Sequence, residues 1–263
     1  MAPLRFTAPL TVTLRSPDVV QVGLDGARGL LLPDAPRGAD VALRAIDRGC
    51  SPARAALELH PCDRDWLPAA LAALRSSGLV TEEPPPPRVV AVVGSGTLAT
   101  ACRSLLTSTG VQVVARQPAA RTPQQPPPVL VATQRVEPER HLLEDLQGEH
   151  RPHLVVRVEA ERAVVGPFVE AGRTPCTRCL DLVRTDLDAR WPHVLAQLCR
   201  MESAPDAAAA AWVAATATAQ LRAWWAGRRP EAVGATIELD AATWRLEARR
   251  WPQHPECGCR WAG

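Results

Sequence analysis

The sequence predicts an α/β protein, in which a winged-helix-like N-terminal module precedes a Rossmann-like domain with a zinc knuckle. Three observations support this class. The first third of the chain has a hairpin pattern and short helices, a strand–glycine turn–helix–strand unit begins at Arg88, and two closely spaced cysteine pairs follow. Four prolines interrupt the chain at 84–87, and such a run forms neither helix nor central strand. We therefore expect a module at 1–83, a polyproline linker at 84–87 and a domain at 88–263.

Short apolar runs and helix-capping residues define the N-terminal module. Leu24–Gly29 separates two apolar runs, and its Asp-Gly pair predicts a hairpin. Ser51 followed by Pro52 predicts one helix start, and Asp65 predicts another, with leucines at helical spacing before the glycine at 78. A hairpin followed by two or three short helices is the outline of a winged helix.

The larger domain begins with a βαβ unit, RVVAVVGSGTLATACRSLLTSTGVQVVAR, in which an apolar run, a glycine turn, a helix and a second strand follow one another. Further strands are predicted in PPPVLVATQ and in HLVVRVEAERAVVGPFVE. We expect one helix around Leu180–Leu198, then an Ala/Trp-rich helix, then a C-terminal hairpin that turns near Asp240.

The composition excludes several kinds of function. The 263 residues include no Lys, Asn or Tyr, so all 30 basic residues are Arg and no catalytic or phosphate-binding lysine exists. A formal net charge of +2 gives no indication of nucleic acid binding. The sequence shows no secretory signal and no apolar run of about 18 residues, so we expect a cytoplasmic protein without a membrane partner. Its eight cysteines would stay reduced in that compartment.

A glycine turn in the βαβ unit is the first candidate site. Residues 94–99, GSGTLA, match the G-x-G-x-x-A pattern between a strand and a helix. Gly94, Gly96 and Ala99 are therefore candidate cofactor-binding residues, because such a turn brings backbone N–H groups close to a phosphate. The next strand ends in Arg116 rather than in an acidic residue, which would favour a 2′-phosphate. The alternative role of the glycines is tight packing of strand against helix.

Two cysteine pairs form the second candidate site. Cys176-x-x-Cys179 and Cys257-x-Cys259 offer four soft ligands from two separate turns, the usual arrangement for tetrahedral zinc. His254 is a candidate substitute ligand. A redox dithiol and unmetallated thiols are the alternatives. The other four cysteines lack partner spacing and are interpreted as small buried hydrophobes: Cys50, Cys62, Cys102 and Cys199.

Other polar residues give no catalytic pattern. The six histidines are scattered and form no Ser-His-Asp or Cys-His arrangement, so no catalytic residue is assigned. Asp181 and Arg184 follow the first cysteine pair on a predicted helix, together with further acidic and basic residues. We interpret these charges as solvated ion pairs on the helix surface.

The order of these parts resembles the ThiF-like, ubiquitin-activating-type family, and most closely the ocin-ThiF-like branch of bacteriocin biosynthesis cyclodehydratase proteins, which is common in actinobacteria. The resemblance is carried by GPFVEAGRTPCTRCLDLVRTDLDARWP at 166–192 and by the terminal HPECGC. It implies that the paired cysteines bind a structural zinc. It also implies a PqqD-like N-terminal module that binds the leader of a ribosomally made precursor peptide by strand addition. The implied partner is a YcaO-type cyclodehydratase that forms azolines, and this fold class commonly forms homodimers.

The chain departs from active members of that family. An active member adenylates a carboxylate and uses a G-x-G-G-x-G turn, an aspartate that ends the second strand, Arg and Lys on the phosphates, and a magnesium-binding aspartate. Here the turn is GSGTLA, Arg116 replaces the aspartate, lysine is absent and PVLVATQRV occupies the acidic stretch. The sequence thus favours a non-catalytic protein that does not use ATP. An ATP-dependent adenylyltransferase, an NADP-binding oxidoreductase and a winged-helix regulator are the alternatives.

The resemblance also places a peptide-binding surface on the N-terminal module. We expect the edge strand at Val12–Leu14 or at Val19–Leu24, in a groove completed by the helix at Asp65–Ser77. The candidate peptide-binding residues are Val12, Leu14, Val20, Val22, Leu71 and Leu74.

Overall fold

The computed structural model describes residues 4–7, 11–24, 29–81, 87–116, 126–159 and 161–259. The chain divides into two compact units, Met1–Pro86 and Pro87–Gly263, and each unit has its own apolar core. The predicted Asp25-Gly26 turn and most of the polyproline segment lie outside the described residues. Within those residues, no helix combines the length and the apolarity needed to cross a bilayer.

In its described residues, the first unit combines short strands with three α-helices and two short 3₁₀ helices. Its elements are β1 (Arg5–Phe6), β2 (Val12–Ser16), β3 (Val19–Val22), β4 (Leu30–Leu32), α1 (Ala39–Asp47), α2 (Pro52–Ala55), α3 (Trp66–Ser76) and β5 (Val80–Thr81). Strands β2, β3 and β4 form an antiparallel sheet with β3 in the middle, and β1 pairs with β5. Ser51 caps α2 as the sequence predicts, since its side chain accepts a hydrogen bond from the Arg54 N–H at 3.3 Å.

The second unit is built on a seven-stranded mixed sheet. Its strands are β6 (Val89–Val93), β7 (Gln112–Val114), β8 (Val129–Ala132), β9 (His153–Glu159), β10 (Arg162–Val169), β11 (Ala235–Asp240) and β12 (Leu246–Arg250). The order across the sheet is β12-β11-β10-β9-β8-β6-β7. Strands β7, β6, β8 and β9 run parallel, and the remaining neighbours are antiparallel. The mixed α/β class that the sequence predicts is confirmed.

Helices cover both faces of this sheet. They are α4 (Gly96–Ser108), α5 (Arg140–Gly148), α6 (Thr177–Leu187), α7 (Trp191–Leu198) and α8 (Ala207–Trp225). Helices α4 and α8 share one core with the sheet, and the alanines of α8 leave room for close approach. Helix α5 packs on the other core through Leu143 and Leu146. The parallel strands are buried on both faces, so their side chains must be apolar on both sides. This explains the near-continuous apolar runs in the sequence.

The single helix expected around Leu180–Leu198 is two helices in the structure. Helix α6 ends at Leu187 and α7 begins at Trp191, with Pro192 in its first turn. Proline has no N–H to donate and its ring clashes with the preceding turn, so it starts a new helix rather than continuing the old one. The prediction of one continuous helix was therefore wrong at this position.

Candidate functional site

The four paired cysteines lie together in the second unit. Cys176 precedes the first turn of α6, which contains Cys179, and Cys257 and Cys259 lie in a short turn after β12. All four are buried, and their sulfur atoms lie within 4.8 Å of one another. The Cys176–Cys257 and Cys179–Cys259 Sγ distances are 3.4 and 3.5 Å, and Cys176–Cys179 is 3.9 Å. A zinc ion with Zn–S bonds of about 2.3 Å sets tetrahedral sulfur–sulfur distances of about 3.8 Å. The cluster therefore has the dimensions of a four-thiolate metal site.

The surroundings of the cluster match a closed metal site. Val169, Leu180 and Trp251 pack around the sulfurs. The Cys179 sulfur accepts from the Cys176 thiol and from backbone N–H groups of Cys176 and His254, and together these contacts lower the pKa of Cys179 to about 4. Burial raises the pKa of Cys259 to about 12. A bound divalent cation would coordinate the thiolate forms and displace the protons of those cysteines that are still protonated.

His254 lies beside the cluster, and its ring contacts groups other than the four sulfurs. Its Nε2 atom is 2.9 Å from the Asp186 carboxylate, and its Nδ1 accepts the Glu256 N–H at 3.2 Å. Both ring nitrogens are therefore occupied by other groups. The imidazole positions the turn that carries the second cysteine pair, and Asp186 ties that turn to α6.

The residues of the glycine turn are in close contact with β8 and with the residues that follow it. Gly94 has φ 122° and lies so close to β8 that a Cβ there would be 1.9 Å from the Ala132 carbonyl oxygen. Gly96 has φ 81° and faces the Gln134 side chain, which would be 3.0 Å from an added Cβ. Ser95 Oγ donates to Gln134 Oε1 at 3.2 Å. Gly94 thus allows the chain after β6 to lie close to β8, and the Gln134 side chain packs against Gly96.

Ala99 and Arg103, both on α4, make contacts that stabilise the fold around the turn. Ala99 is fully buried in the core between α4 and the sheet. Arg103 donates to the carbonyl oxygens of Gly94 at 2.7 Å and of Val92 at 3.2 Å. Its guanidinium therefore stabilises the main chain where β6 leads into the turn.

A small cavity opens at the carboxyl ends of β6 and β8, the place where ligands bind in open α/β sheets. Its volume is about 220 Å³, below the roughly 300 Å³ at which ligand pockets begin. Glu139 and Glu202 line it together with Arg135, whose guanidinium contacts Glu139 at 3.8 Å and the Cys199 carbonyl at 3.1 Å. The cavity is thus lined by two carboxylates and by one arginine that already contacts other groups. Such a charge balance is unfavourable for a triphosphate.

Arg116 also forms ion pairs within the protein. Its guanidinium lies 2.8 Å from Glu149 and 4.0 Å from Asp145, both at the end of α5. An arginine neutralised in this way is a poor recognition group for the 2′-phosphate of NADP.

A buried charge network connects the loop after β8 with α5, β9 and α6, and the sequence interpretation missed it. The Glu137 carboxylate is 2.9 Å from Arg140, 3.0 Å from Arg157 and 3.4 Å from Arg184. Burial alone would raise the pKa of Glu137, but the three guanidinium groups outweigh it and hold that pKa below its ordinary value. Asp181 accepts two hydrogen bonds from Arg140, at 2.7 and 3.0 Å.

This network corrects the solvated ion pairs expected on α6. Asp181 and Arg184 point inward to Arg140 and Glu137, and the Trp191 Nε1–H also donates to Asp181 at 3.2 Å. One signal was available in the sequence. Arg157 interrupts the otherwise apolar run of β9, and a charge inside a buried strand requires a buried partner.

The candidate peptide-binding residues are divided between core and surface. Five of the six side chains are buried in the core of the first unit: Val12, Val20, Val22, Leu71 and Leu74. Leu14 is 52% exposed. Because β3 lies between β2 and β4, the expected strand at Val19–Leu24 has no free edge, whereas β2 is an edge strand. Helix α1 borders β2, where Arg44 Nε donates to the Val12 carbonyl at 3.2 Å.

Neither a family model nor a curated protein matches the sequence. The fold is similar to solved structures along almost the whole chain. A heterocyclase in complex with substrate and cofactor matches 98% of this chain and 39% of its own, with a TM-score of 0.70 and 15% identity. The heterocyclase TruD matches 98% and 43%, with a TM-score of 0.66 and 17% identity. The Escherichia coli microcin synthetase McbBCD complex has a chain matched over 97% of this chain and 100% of its own, with a TM-score of 0.50 and 11% identity.

This chain thus spans about two fifths of the length of the two heterocyclases. At these identities the likeness concerns the fold alone.

Proposed function

We propose that this protein binds the leader of a ribosomally made precursor peptide and presents the peptide to a YcaO-type cyclodehydratase, without catalysing the reaction itself. The observation that carries the proposal is the fold likeness to heterocyclases over 98% of the chain, one of them solved with substrate and cofactor. The likeness to a chain of the McbBCD synthetase complex supports a role beside other subunits. In the proposal, a partner provides the catalytic part of the heterocyclase.

The edge of β2 is the proposed contact for the peptide. The Gly23 N–H donates to the Thr11 carbonyl at 2.7 Å, so the main-chain groups of Thr11 and Thr13 point toward β3. Those of Val12 and Leu14 therefore point outward. Arg44 already occupies the Val12 carbonyl, which leaves the Leu14 N–H and C=O for an added strand. Leu14 also presents an exposed side chain beside them.

The four-cysteine cluster is the proposed zinc site. Cys176, Cys179, Cys257 and Cys259 would supply all four ligands and leave no coordination position for water or substrate. Such a closed site stabilises structure and performs no chemistry. In this proposal the ion joins α6 to the turn after β12.

The principal alternative is an ATP-dependent adenylyltransferase, since the glycine turn occupies the expected place in the βαβ unit. The Gln134 side chain over Gly96 and the carboxylates of Glu139 and Glu202 in the adjacent cavity argue against it. An ATP–pyrophosphate exchange assay distinguishes the two functions, because only an adenylating enzyme returns label from pyrophosphate to ATP.

The peptide proposal is tested by isothermal titration of the full chain with leader peptides encoded next to its gene. Leu14→Pro removes one outward N–H and no hydrogen bond of the existing sheet, while Leu14→Ala keeps the N–H and shortens the side chain. We expect Leu14→Pro to weaken binding about tenfold or more, since strand addition depends on main-chain hydrogen bonds, and Leu14→Ala to weaken it less. Peptides that fail to bind the wild type, or bind Leu14→Pro equally well, would contradict the proposal.

A further inference from the structure

A turn of the first unit brings three metal-ligating side chains together, away from the four-cysteine cluster in sequence and in a different unit. His60, Cys62 and Asp63 lie in or next to the short 3₁₀ helix at Pro61–Asp63, which precedes α3. Their ligand atoms all lie within 4.8 Å of one another. The His60 Nδ1 atom is 2.8 Å from the Cys62 sulfur, and that sulfur is 3.5 Å from Asp63 Oδ1.

The structure corrects the interpretation of Cys62 as a small buried hydrophobe, because its thiol is exposed. Cys102, by contrast, is buried in the apolar core as the sequence predicts. Free cysteines are among the most buried residue types, and the chemistry of the sulfur usually decides where an accessible one is kept. Packing therefore does not explain the position of Cys62, and its two polar neighbours become the relevant contacts.

These neighbours do not make Cys62 a nucleophile. Desolvation and the Asp63 carboxylate raise the pKa of the Cys62 thiol above its ordinary value. The sulfur is then mostly protonated at neutral pH, and only the thiolate attacks an electrophile. A carboxylate that disfavours a bare thiolate favours a cation at the same place, so the arrangement is better suited to a metal ion than to covalent catalysis.

The turn already holds the three side chains on one side of a closed loop of main chain. Pro61 fixes its own φ angle, and the Asp63 N–H donates to the His60 carbonyl at 2.9 Å. All three groups come from four consecutive residues, 60–63. An ion therefore meets ligands whose main chain needs no further ordering, which lowers the entropic cost of binding.

The distances are close to those of a tetrahedral zinc site. Bonds of about 2.3 Å to sulfur and about 2.1 Å to nitrogen or oxygen set ligand–ligand distances of about 3.6 Å. The separation of 3.5 Å between the Cys62 sulfur and the Asp63 oxygen already agrees with this value. The His60–Cys62 distance must open from 2.8 Å by about 0.8 Å, which a small rotation of the exposed imidazole provides.

We propose that His60, Cys62 and Asp63 bind a divalent transition-metal ion of the zinc class, at a site separate from the four-cysteine cluster. Thiolate and imidazole ligands select such ions over Mg²⁺ and Ca²⁺, which prefer oxygen. Binding forms a bond between the ion and the Cys62 sulfur and releases the thiol proton to solvent. Three protein ligands leave one tetrahedral position for water, so the ion exchanges with the solution more readily than one enclosed by four buried cysteines.

Alkylation of the full chain by iodoacetamide, mapped by mass spectrometry, tests the proposal at Cys62 itself. Zinc should slow this alkylation, because a coordinated sulfur is not a free thiolate. At a zinc concentration about ten times the dissociation constant, about a tenth of the sites stay free and the rate should fall about tenfold. Mg²⁺ should have no effect, and Cys50, a half-buried cysteine of the same unit, should react at the same rate with and without zinc.

Substitutions of the other two ligands identify the site. His60→Ala removes the nitrogen ligand and Asp63→Asn removes a negative charge, so each should raise the zinc concentration needed for protection at least about tenfold. The matched control is His141→Ala in the second unit, where the histidine side chain is 99% exposed, and it should leave the protection of Cys62 unchanged.

Elemental analysis provides a second readout. With zinc in excess, the wild type should hold one ion more than Cys62→Ser, and after dialysis against zinc-free buffer the two should hold the same number, because only the open site loses its ion. Both comparisons hold whether or not the four-cysteine cluster binds zinc. Alkylation of Cys62 that zinc does not slow, protection that persists in His60→Ala, or equal zinc contents in excess metal would each overturn the proposal.

Discussion

Replacing Glu137 with glutamine should destabilise the second unit strongly. The carboxylate is buried, with 4% of its side chain exposed, and it is the shared partner of Arg140, Arg157 and Arg184. Glutamine keeps the shape and removes the negative charge. Arg157 then loses one of its two acidic partners, since only Glu159 remains, at 2.6 Å.

The size of the effect follows from burial. Breaking a buried ion pair from one side costs about 3–5 kcal/mol, because the remaining charge stays desolvated without its partner. For a unit of this size about 1 kcal/mol shifts Tm by 2–4 °C, so the free-energy loss corresponds to a decrease of about 6–20 °C. Glu139→Gln is the matched control two residues away. Its side chain is 65% exposed and 3.8 Å from Arg135, so the change should cost less than about 1 kcal/mol.

Urea unfolding followed by tryptophan fluorescence measures both variants, and seven of the eight tryptophans follow residue 87. The pKa of Glu137 is lowered in the folded state, so its stabilising contribution is fully present above its ordinary value of 4.5 and is lost as pH falls toward the folded pKa. The difference between wild type and Glu137→Gln should therefore shrink below pH 4.5. Equal destabilisation by Glu137→Gln and Glu139→Gln, or a difference independent of pH, would refute this reasoning.

Two further substitutions test the glycine turn and the cysteine cluster. Gly94→Ala would bring a Cβ to 1.9 Å from the Ala132 oxygen at φ 122°, so we expect a loss above about 4 kcal/mol in thermal or urea unfolding. Gly148→Ala should leave the stability unchanged or raise it slightly, because an added Cβ there meets nothing within 4 Å. Similar losses of stability in both variants would contradict the packing role of Gly94. Cys176→Ser should lower bound zinc from about one ion per chain to almost none by elemental analysis, whereas Cys199→Ser, outside the cluster, should retain it. Zinc that persists in Cys176→Ser would count against the four-cysteine site.

Local sequence patterns predicted the features whose partners are close in the chain or stereotyped. The βαβ unit, the Ser51 cap and the alternating C-terminal hairpin depend on neighbouring residues, and the structure contains all three. The proximity of Cys176 to Cys257 was predicted because each pair has ligand spacing and a hairpin returns the second pair to the sheet.

Features that depend on distant partners were not predicted. Asp181 has helical spacing to Arg184 and resembles a surface ion pair, yet its partner Arg140 lies 41 residues earlier in the chain. No local pattern encodes that contact. The side chains of Val20 and Val22 lie in the core of the first unit, and the contact with a peptide expected for them stays a prediction.

Reconstitution of azoline formation tests the central claim most directly. A precursor peptide and ATP are incubated with a YcaO-type cyclodehydratase alone, with this protein alone and with both, and the loss of water from the peptide is followed by mass spectrometry. We predict rapid dehydration only when both proteins are present, with no ATP consumed by this protein alone. ATP-dependent activation of the peptide by this protein alone, or equal rates with and without it, would contradict the account.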